Sequence, residues 1–139
     1  MSSLAITGIT GKNGKYLFQE LLNNEPKISR MFSDGIKFSV RDTNKARFIT
    51  ESSSGLKYQL LLGDTTNEAF TDELLQGCDT VLHIAGIQTS LNIVESAIKN
   101  KVKRLILVHT TGIYSKYKEA GEEYRNIDSQ VYKLTKENN

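Results

Sequence analysis

The length, composition and charge of the chain describe a protein with one hydrophobic core. Its 139 residues, of which 38% are hydrophobic and 24% charged, predict a single domain spanning residues 1–139. A net charge of +2 and scattered lysines and arginines give no basic patch for nucleic acid. A single cysteine, Cys78, excludes an intramolecular disulfide, and no apolar stretch resembles a secretory signal or a membrane span. We therefore predict a cytoplasmic protein without nucleic-acid or membrane partners.

Apolar segments of strand length alternate along the chain with segments of helical periodicity. The predicted strands, rich in Val, Ile, Leu and Phe, are residues 4–7, 37–41, 58–62, 80–85 and 104–109. The predicted helices are residues 13–24, a less regular 43–52, and then 67–76, 88–100 and 119–138. This alternation predicts a Rossmann-like α/β fold, a doubly wound parallel sheet with strand order 3-2-1-4-5.

The glycine-rich segment TGITGKNGK, residues 7–15, follows the first predicted strand and opens the first predicted helix. In such a sheet, ligands bind beyond the carboxyl ends of the strands, beside the first strand, where the strand order reverses. Gly8 would form the tight turn, Gly11 would let a diphosphate approach bare backbone, and Gly14 would let the helix pack closely. A turn without ligand is the alternative, but this context favours a dinucleotide. A P-loop is excluded because five residues separate the first and third glycines, where that motif has four.

Further motifs follow the glycine turn in a regular order. Together they read TGxxGxxG at residues 7–14, VRD at 40–42, GD at 63–64, DTVLHIAG at 79–86 and VKRLILVHTTGIY at 102–114. With them, nearly the whole chain resembles the short-chain dehydrogenase/reductase superfamily, in its extended and atypical branches of sugar-nucleotide epimerases and NmrA-like proteins. The resemblance implies an NAD(P)-dependent oxidoreductase or epimerase/dehydratase, or its cofactor-binding part. A non-catalytic NmrA-like dinucleotide sensor that signals through a protein partner is the alternative.

The resemblance also implies which residues contact the cofactor. The residues implied at the diphosphate are Gly8, Thr10, Gly11, Lys12, Asn13 and Gly14, and those along the rest of the cofactor are Arg41, Gly63, Asp64, Thr65, Ala85, Gly86 and Thr110. Residues 64–66 could instead cap the following helix. His83, within an apolar strand, is interpreted as a core histidine.

The charged residues after the second strand bear on the choice between NADP and NAD. An acidic group there accepts hydrogen bonds from the ribose hydroxyls of NAD, whereas an arginine suits the 2′-phosphate of NADP. Arg41 precedes Asp42, and Lys45 and Arg47 either add to a phosphate pocket or lie on a solvated helix face. We therefore predict NADP rather than NAD, with a salt bridge of Arg41 to a nearby carboxylate as the alternative.

For catalysis, the resemblance implies a tyrosine, a lysine four residues later, and a Ser or Thr after the fifth strand. The lysine orients the ribose and allows the tyrosine to exchange a proton near neutral pH. Tyr132 and Lys136 have this spacing, and Tyr132 follows Thr111 by 21 residues. On a lysine-rich helix such a pair also arises by chance. The catalytic prediction is therefore Tyr132, Lys136 and Thr111.

Two other tyrosines fit the pattern less well. Tyr114 with Lys118 comes too soon after the fifth strand, and Tyr124 is followed four residues later by Asp128, which cannot supply an ammonium group. No group of residues predicts a metal site.

The short chain affects the expected substrate site and the sheet edge. Members of these branches usually continue for a hundred or more residues, so we expect much of the pocket for an unidentified small-molecule substrate to be missing. The fifth strand would be an open edge unless the last helix or a second chain covers it, and a homodimer is one way to do so.

Overall fold

The computed structural model of the chain describes residues 2–114, 116 and 119–138. Five parallel strands form one sheet in the order β3-β2-β1-β4-β5. They are β1 Ser3–Thr7, β2 Gly35–Val40, β3 Tyr58–Leu62, β4 Thr80–His83 and β5 Arg104–Leu107. The helices are α1 Gly14–Asn23, α2 Glu25–Met31, α3 Arg47–Thr50, α4 Glu68–Leu75, α5 Ser90–Lys99 and α6 Glu119–Glu137. The predicted α/β fold and strand order are confirmed.

Strand β1 lies at the centre of the sheet, between β2 and β4. Its register places Leu4 beside both Ile36 and Thr80, and all five of its residues are buried. This burial explains why β1 reads as a short continuous apolar segment. Because β1 is where the strand order reverses, the turn that follows it opens at the end of the sheet where ligands bind.

Apolar side chains pack in separate clusters on the two faces of the sheet. On one face, Ile6 and Phe38 pack with Phe18 of α1. On the other face, Val81 packs with Leu74 of α4 and other apolar residues of the strands and α5. Both clusters are built from the alternating side chains of the strands, so they fix which way each strand faces.

A third apolar cluster holds the long helix α6 against α5. Ile127 and Val131 of α6 are buried with Ile87 and Val94. Leu105 and Leu107 of β5 are partly buried against this cluster, so α6 lies over one face of β5. The side chains that alternate with these two point to the other face. There, Ile106 is 45% exposed, and Val108, just after the end of the strand, is 49% exposed. The last helix therefore covers only part of the edge strand.

Several boundaries differ from the sequence predictions. Strands β4 and β5 end two residues earlier, at His83 and Leu107. The segment predicted as one helix over 43–52 is a 3-10 turn, Thr43–Ala46, followed by the short α3. Helix α2 was not predicted at all, because none of its residues is buried and it therefore has no apolar periodicity. Among the described residues, no helix is both long and apolar enough to cross a bilayer.

Candidate functional site

The glycine turn brings β1, α1 and the end of β4 unusually close together. Gly8 has φ of 80°, and a Cβ there would lie 2.5 Å from the backbone nitrogen of Ala85. A Cβ on Gly14 would overlap the backbone carbonyl of Ile9. Any side chain at either position would therefore force the backbone apart, which agrees with the predicted turn and close-packing roles.

The same turn leaves backbone donors at the start of α1. The amide of Gly11 donates to the carbonyl of Gly8 over 3.0 Å, and that of Gly14 donates to Gly11 over 3.1 Å. Among the described residues, no hydrogen bond occupies the N–H of Lys12 or Asn13. These free donors and the positive end of the helix dipole favour an anion such as a diphosphate.

A groove of about 780 Å³ runs along the carboxyl ends of β1 to β4. It contains nine of the predicted cofactor residues, namely Gly8, Thr10, Gly11, Arg41, Gly63, Asp64, Thr65, Ala85 and Gly86. The residues that line it without having been implied as contacts are Ser39, Val40, Asp42, Lys45, Thr66, Ile84, Gln88 and Thr89. The volume lies within the range of cofactor and ligand sites.

One end of the groove carries two cationic side chains, Arg41 and Lys45. The carboxylate of Asp42 accepts a hydrogen bond from the amide of Asn44 at 2.9 Å, and thereby starts the 3-10 turn. This bond directs Asp42 toward its own backbone. The cations are therefore the charges available for a 2′-phosphate at this end.

Asp64 lines the groove at the end of β3 and forms a similar turn. It accepts a hydrogen bond from the amide of Thr66 at 2.9 Å, and this bond is the main reason that the pKa of Asp64 is lowered. The nearby Arg41 adds a smaller lowering of the same pKa. The residue that caps α4 is Asn67, which accepts from the amide of Phe70. The alternative that Asp64 caps this helix is therefore wrong.

Beneath the other end of the groove lies the buried His83. Its Nε2 is 3.2 Å from the carbonyl of Gly86, which can only accept, so Nε2 carries the proton. Nδ1 then accepts from the hydroxyl of Thr7 at 2.6 Å, and that hydroxyl accepts from the amide of Ala85 at 3.4 Å. Burial lowers the pKa of His83 to about 4. His83 is a neutral core residue, as interpreted from the sequence, that fixes the loop after β4.

Other predicted site residues lie outside the groove lining. Lys12, Asn13 and Gly14 lie at the start of α1, and Thr110 and Thr111 follow β5. Of these, Lys12 and Asn13 have the backbone donors at the start of α1 described above. The structure does not bring Thr110 or Thr111 into the lining of the groove.

The predicted catalytic pair lies on the exposed side of α6. Tyr132 is 66% exposed, and the nitrogen Nζ of Lys136 is 5.8 Å from the centre of its ring. Neither residue lines the groove. Tyr124 lies nearer, since its hydroxyl accepts a 3.4 Å hydrogen bond from Nε2 of the groove residue Gln88. Tyr114 is 79% exposed, and Lys118, with which it was paired by spacing, lies outside the described residues.

Sequence reasoning missed Gln88 and Thr89 because it treated them as the start of an ordinary helix. In the structure, residues Ile87–Thr89 form a 3-10 turn ahead of α5. The available signal was position, since both residues come directly after Ala85 and Gly86 at the carboxyl end of a strand. Among the described residues, no group of three or more His, Cys, Asp or Glu could hold a metal ion.

Known proteins share this architecture. UDP-glucose 4-epimerase of Rickettsia canadensis is 28% identical, over 78% of this chain and 36% of the epimerase. The structure of Pen from Bacillus thuringiensis matches 96% of this chain and 45% of its own, with a TM-score of 0.79 and 18% identity. A triphenylmethane reductase of Citrobacter sp., complexed with NADP(H), matches 95% of this chain and 46% of its own, with a TM-score of 0.71 and 21% identity. The chain thus spans less than half the length of these relatives.

A family model described as NAD(P)H-binding matches residues 8–138, from the first glycine of the turn nearly to the end of the chain. That match includes the groove-lining residues at the ends of β2, β3 and β4. The chain therefore belongs to the NAD(P)H-binding family.

Proposed function

We propose that this chain is the cofactor-binding part of an NADPH-dependent oxidoreductase. The observation that carries the proposal is the groove, which has the glycine turn at its centre and the cations Arg41 and Lys45 at one end. The triphenylmethane reductase complexed with NADP(H) supports the choice of cofactor. When bound, the nicotinamide would supply a hydride.

In this proposal, residues in and beside the groove each bind one part of the cofactor. The free amides of Lys12 and Asn13 bind the diphosphate, and Arg41 with Lys45 binds the 2′-phosphate. The uncharged residues after β4, which include Gly86 and Gln88, border the nicotinamide. The buried network under Gly86 keeps this loop in place and so fixes the distance between the two ends of the site.

Substitution of Gly11 tests this placement directly. A Cβ on Gly11 would have one tight contact, 3.2 Å from the carbonyl oxygen of Gly8, and Gly11 faces the groove. Gly11→Val should therefore keep the fold but weaken NADPH binding by at least about tenfold, or about 1.4 kcal/mol. NADPH fluorescence is titrated against wild type, Gly11→Ala and Gly11→Val, with thermal melts as the folding control. Equal affinities in well-folded variants would refute the placement.

A non-catalytic dinucleotide sensor is the second candidate function. The exposure of Tyr132 and its absence from the groove lining favour it, because an enzyme of the resembled type needs a tyrosine near the nicotinamide. Such a sensor would bind NADPH and show no turnover. If the chain is instead part of an oxidoreductase, as proposed first, its substrate would be a small molecule. A cytoplasmic location stays a prediction.

A further inference from the structure

Three side chains, from α5, the loop after β5 and α6, form a hydrogen-bonded chain beside the groove. Oδ1 of Asp128, on α6, lies 2.9 Å from Nδ1 of His109, which follows β5. Nε2 of His109 lies 3.0 Å from Oγ of Ser90, the first residue of α5. We call Ser90, His109 and Asp128 the clasp. It is one residue from the groove, because Ser90 directly follows the lining residue Thr89.

The clasp has the residue types of a hydrolytic triad but not its accessibility. Ser90 is 0% exposed, so no substrate carbonyl can reach its hydroxyl. Both ring nitrogens of His109 are already engaged, one by the carboxylate and one by the hydroxyl. The carboxylate of Asp128 accepts a hydrogen bond from Nδ1–H. Nε2 therefore carries no proton and accepts a hydrogen bond from the hydroxyl of Ser90. The clasp therefore connects α6 to α5 and does not attack a substrate.

Helix α6, which the clasp connects to α5, places Tyr124 at the groove. Tyr124 lies four residues before Asp128, so both side chains project from the same face of α6. The Tyr124 hydroxyl accepts from Gln88, at the end of the groove that also contains Gly86 and Thr89. A shift or rotation of α6 would therefore move Tyr124 away from Gln88.

The other attachments of α6 fix its position less specifically. Ile127 and Val131 pack on Ile87 and Val94, and such apolar contacts are not directional. Arg125 donates to the carbonyl of Ile113, a residue of the turn before α6. The clasp ties the middle of α6 by directional hydrogen bonds to His109, after β5, and through it to Ser90 of α5.

We propose that the clasp is a positioning device, which sets the rotation of α6 and holds Tyr124 with Gln88 at the nicotinamide end of the groove. The proposal rests on the proposed function, because that function places the nicotinamide at this end. His109 and Asp128 are positioning residues that act through Tyr124, and they touch no reacting atom.

The test compares Asp128→Ala with two other variants of α6. Asp128→Asn keeps an oxygen that can accept from His109, and Glu123→Ala removes an exposed carboxylate of the same helix that has no part in the clasp. Hydrogen exchange of the amides in residues 121–137 reports how firmly α6 is held. The fluorescence emission of bound NADPH measures the surroundings of the nicotinamide at one end of the groove. The affinity for adenosine 2′,5′-bisphosphate measures binding at the cationic end.

We expect Asp128→Ala to raise α6 exchange by about tenfold or more relative to Glu123→Ala. It should also change the emission of bound NADPH while affinity for adenosine 2′,5′-bisphosphate stays within about twofold, since the cationic end is untouched. Asp128→Asn should restore both readouts in part. A merely structural bond would raise exchange without changing the emission, and that result would overturn the positioning role.

Unchanged exchange in Asp128→Ala would overturn the clasp itself. Failure of the proposed function is a separate result, because it would be seen as a wild-type chain that binds neither NADPH nor adenosine 2′,5′-bisphosphate. In that case the exchange of α6 alone decides whether the clasp holds the helix.

Discussion

The charges at the end of β2 predict that the chain binds NADPH more tightly than NADH. Arg41 and Lys45 both line the groove and are both exposed, while the carboxylate of Asp42 is engaged by the amide of Asn44. A guanidinium can hold a 2′-phosphate by two parallel charge-assisted hydrogen bonds and offers no acceptor to a free 2′-hydroxyl. The two cations therefore attract the phosphate, while the carboxylate of Asp64, which lies near Arg41, opposes part of this attraction.

The size of this preference follows from the exposure of the two cations. Hydrogen bonds to charged groups contribute roughly 1.5 to 3 kcal/mol, which corresponds to about tenfold to a hundredfold in affinity. Because Arg41 is exposed, solvent screening favours the lower part of this range. Arg41→Ala should remove most of the preference, and Lys45→Ala should remove less, since an ammonium acts as a single point charge. The preference should also shrink as salt is added.

Calorimetry with both cofactors tests this reasoning on wild type and on matched variants. Arg47→Ala is the control, because Arg47 is an exposed arginine of α3 that does not line the groove. Asp42→Ala tests the direction of the carboxylate, and we expect it to leave the ratio of the two affinities nearly unchanged. A wild type that prefers NADH, or an Arg41→Ala variant with unchanged NADPH affinity, would refute the assignment.

Three further predictions concern turnover, self-association and pH. With NADPH and a panel of aldehydes, ketones and quinones, the chain should show only background rates, and robust turnover that disappears in Tyr132→Phe would instead promote Tyr132 to the catalytic acid. We propose that a second copy covers the exposed side of β5, so Ile106→Lys should shift a concentration-dependent dimer toward monomer in sedimentation velocity; a wild type that stays monomeric at high concentration would contradict this. Because burial lowers the pKa of His83 from 6.5 to about 4, the unfolded chain binds more protons between these values, and stability should be complete above pH 6.5 and fall toward pH 4. The loss between pH 7.5 and 5.0 should be about 2 kcal/mol in urea unfolding, and it should be much smaller in His83→Gln.

The strand order and the glycine turn were predictable because both depend on local patterns. Buried parallel strands read as short apolar segments, and the alternation with helices restricts the sheet to few topologies. Helix α2 was not predictable in this way, because it buries none of its residues. The early end of β4 was not predictable either. Ile84 and Ala85 lie beyond the strand and against the backbone of Gly8, and this contact joins segments far apart in sequence.

The backbone conformation of the site could be predicted from the sequence, but the directions of its side chains mostly could not. Glycine spacing identifies the turn, but whether Asp42 faces a ribose or its own backbone depends on one hydrogen bond to Asn44. The choice among tyrosines depends on the rotation of α6, which follows from contacts of Ile127 and Val131 with residues far away in the sequence. Spacing alone favoured Tyr132, and its exposure shows that the motif distance does not by itself decide which side of a helix faces the groove.

The cofactor groove depends on residues that do not line it. Gly8 can approach Ala85 only if the loop after β4 keeps its position, and that position is held by Thr7 and His83 from below. Thr7 and His83 are both fully buried, and their hydrogen bonds join the ends of two adjacent strands to the amide of Ala85 and the carbonyl of Gly86. Protonation of His83 would turn Nδ1 from an acceptor into a donor, and the hydroxyl of Thr7 would then have to accept from it instead of donating to it. Burial lowers the pKa of His83 and so favours the neutral imidazole, which joins Thr7, just before the glycine turn, to Gly86 in the loop that we propose borders the nicotinamide.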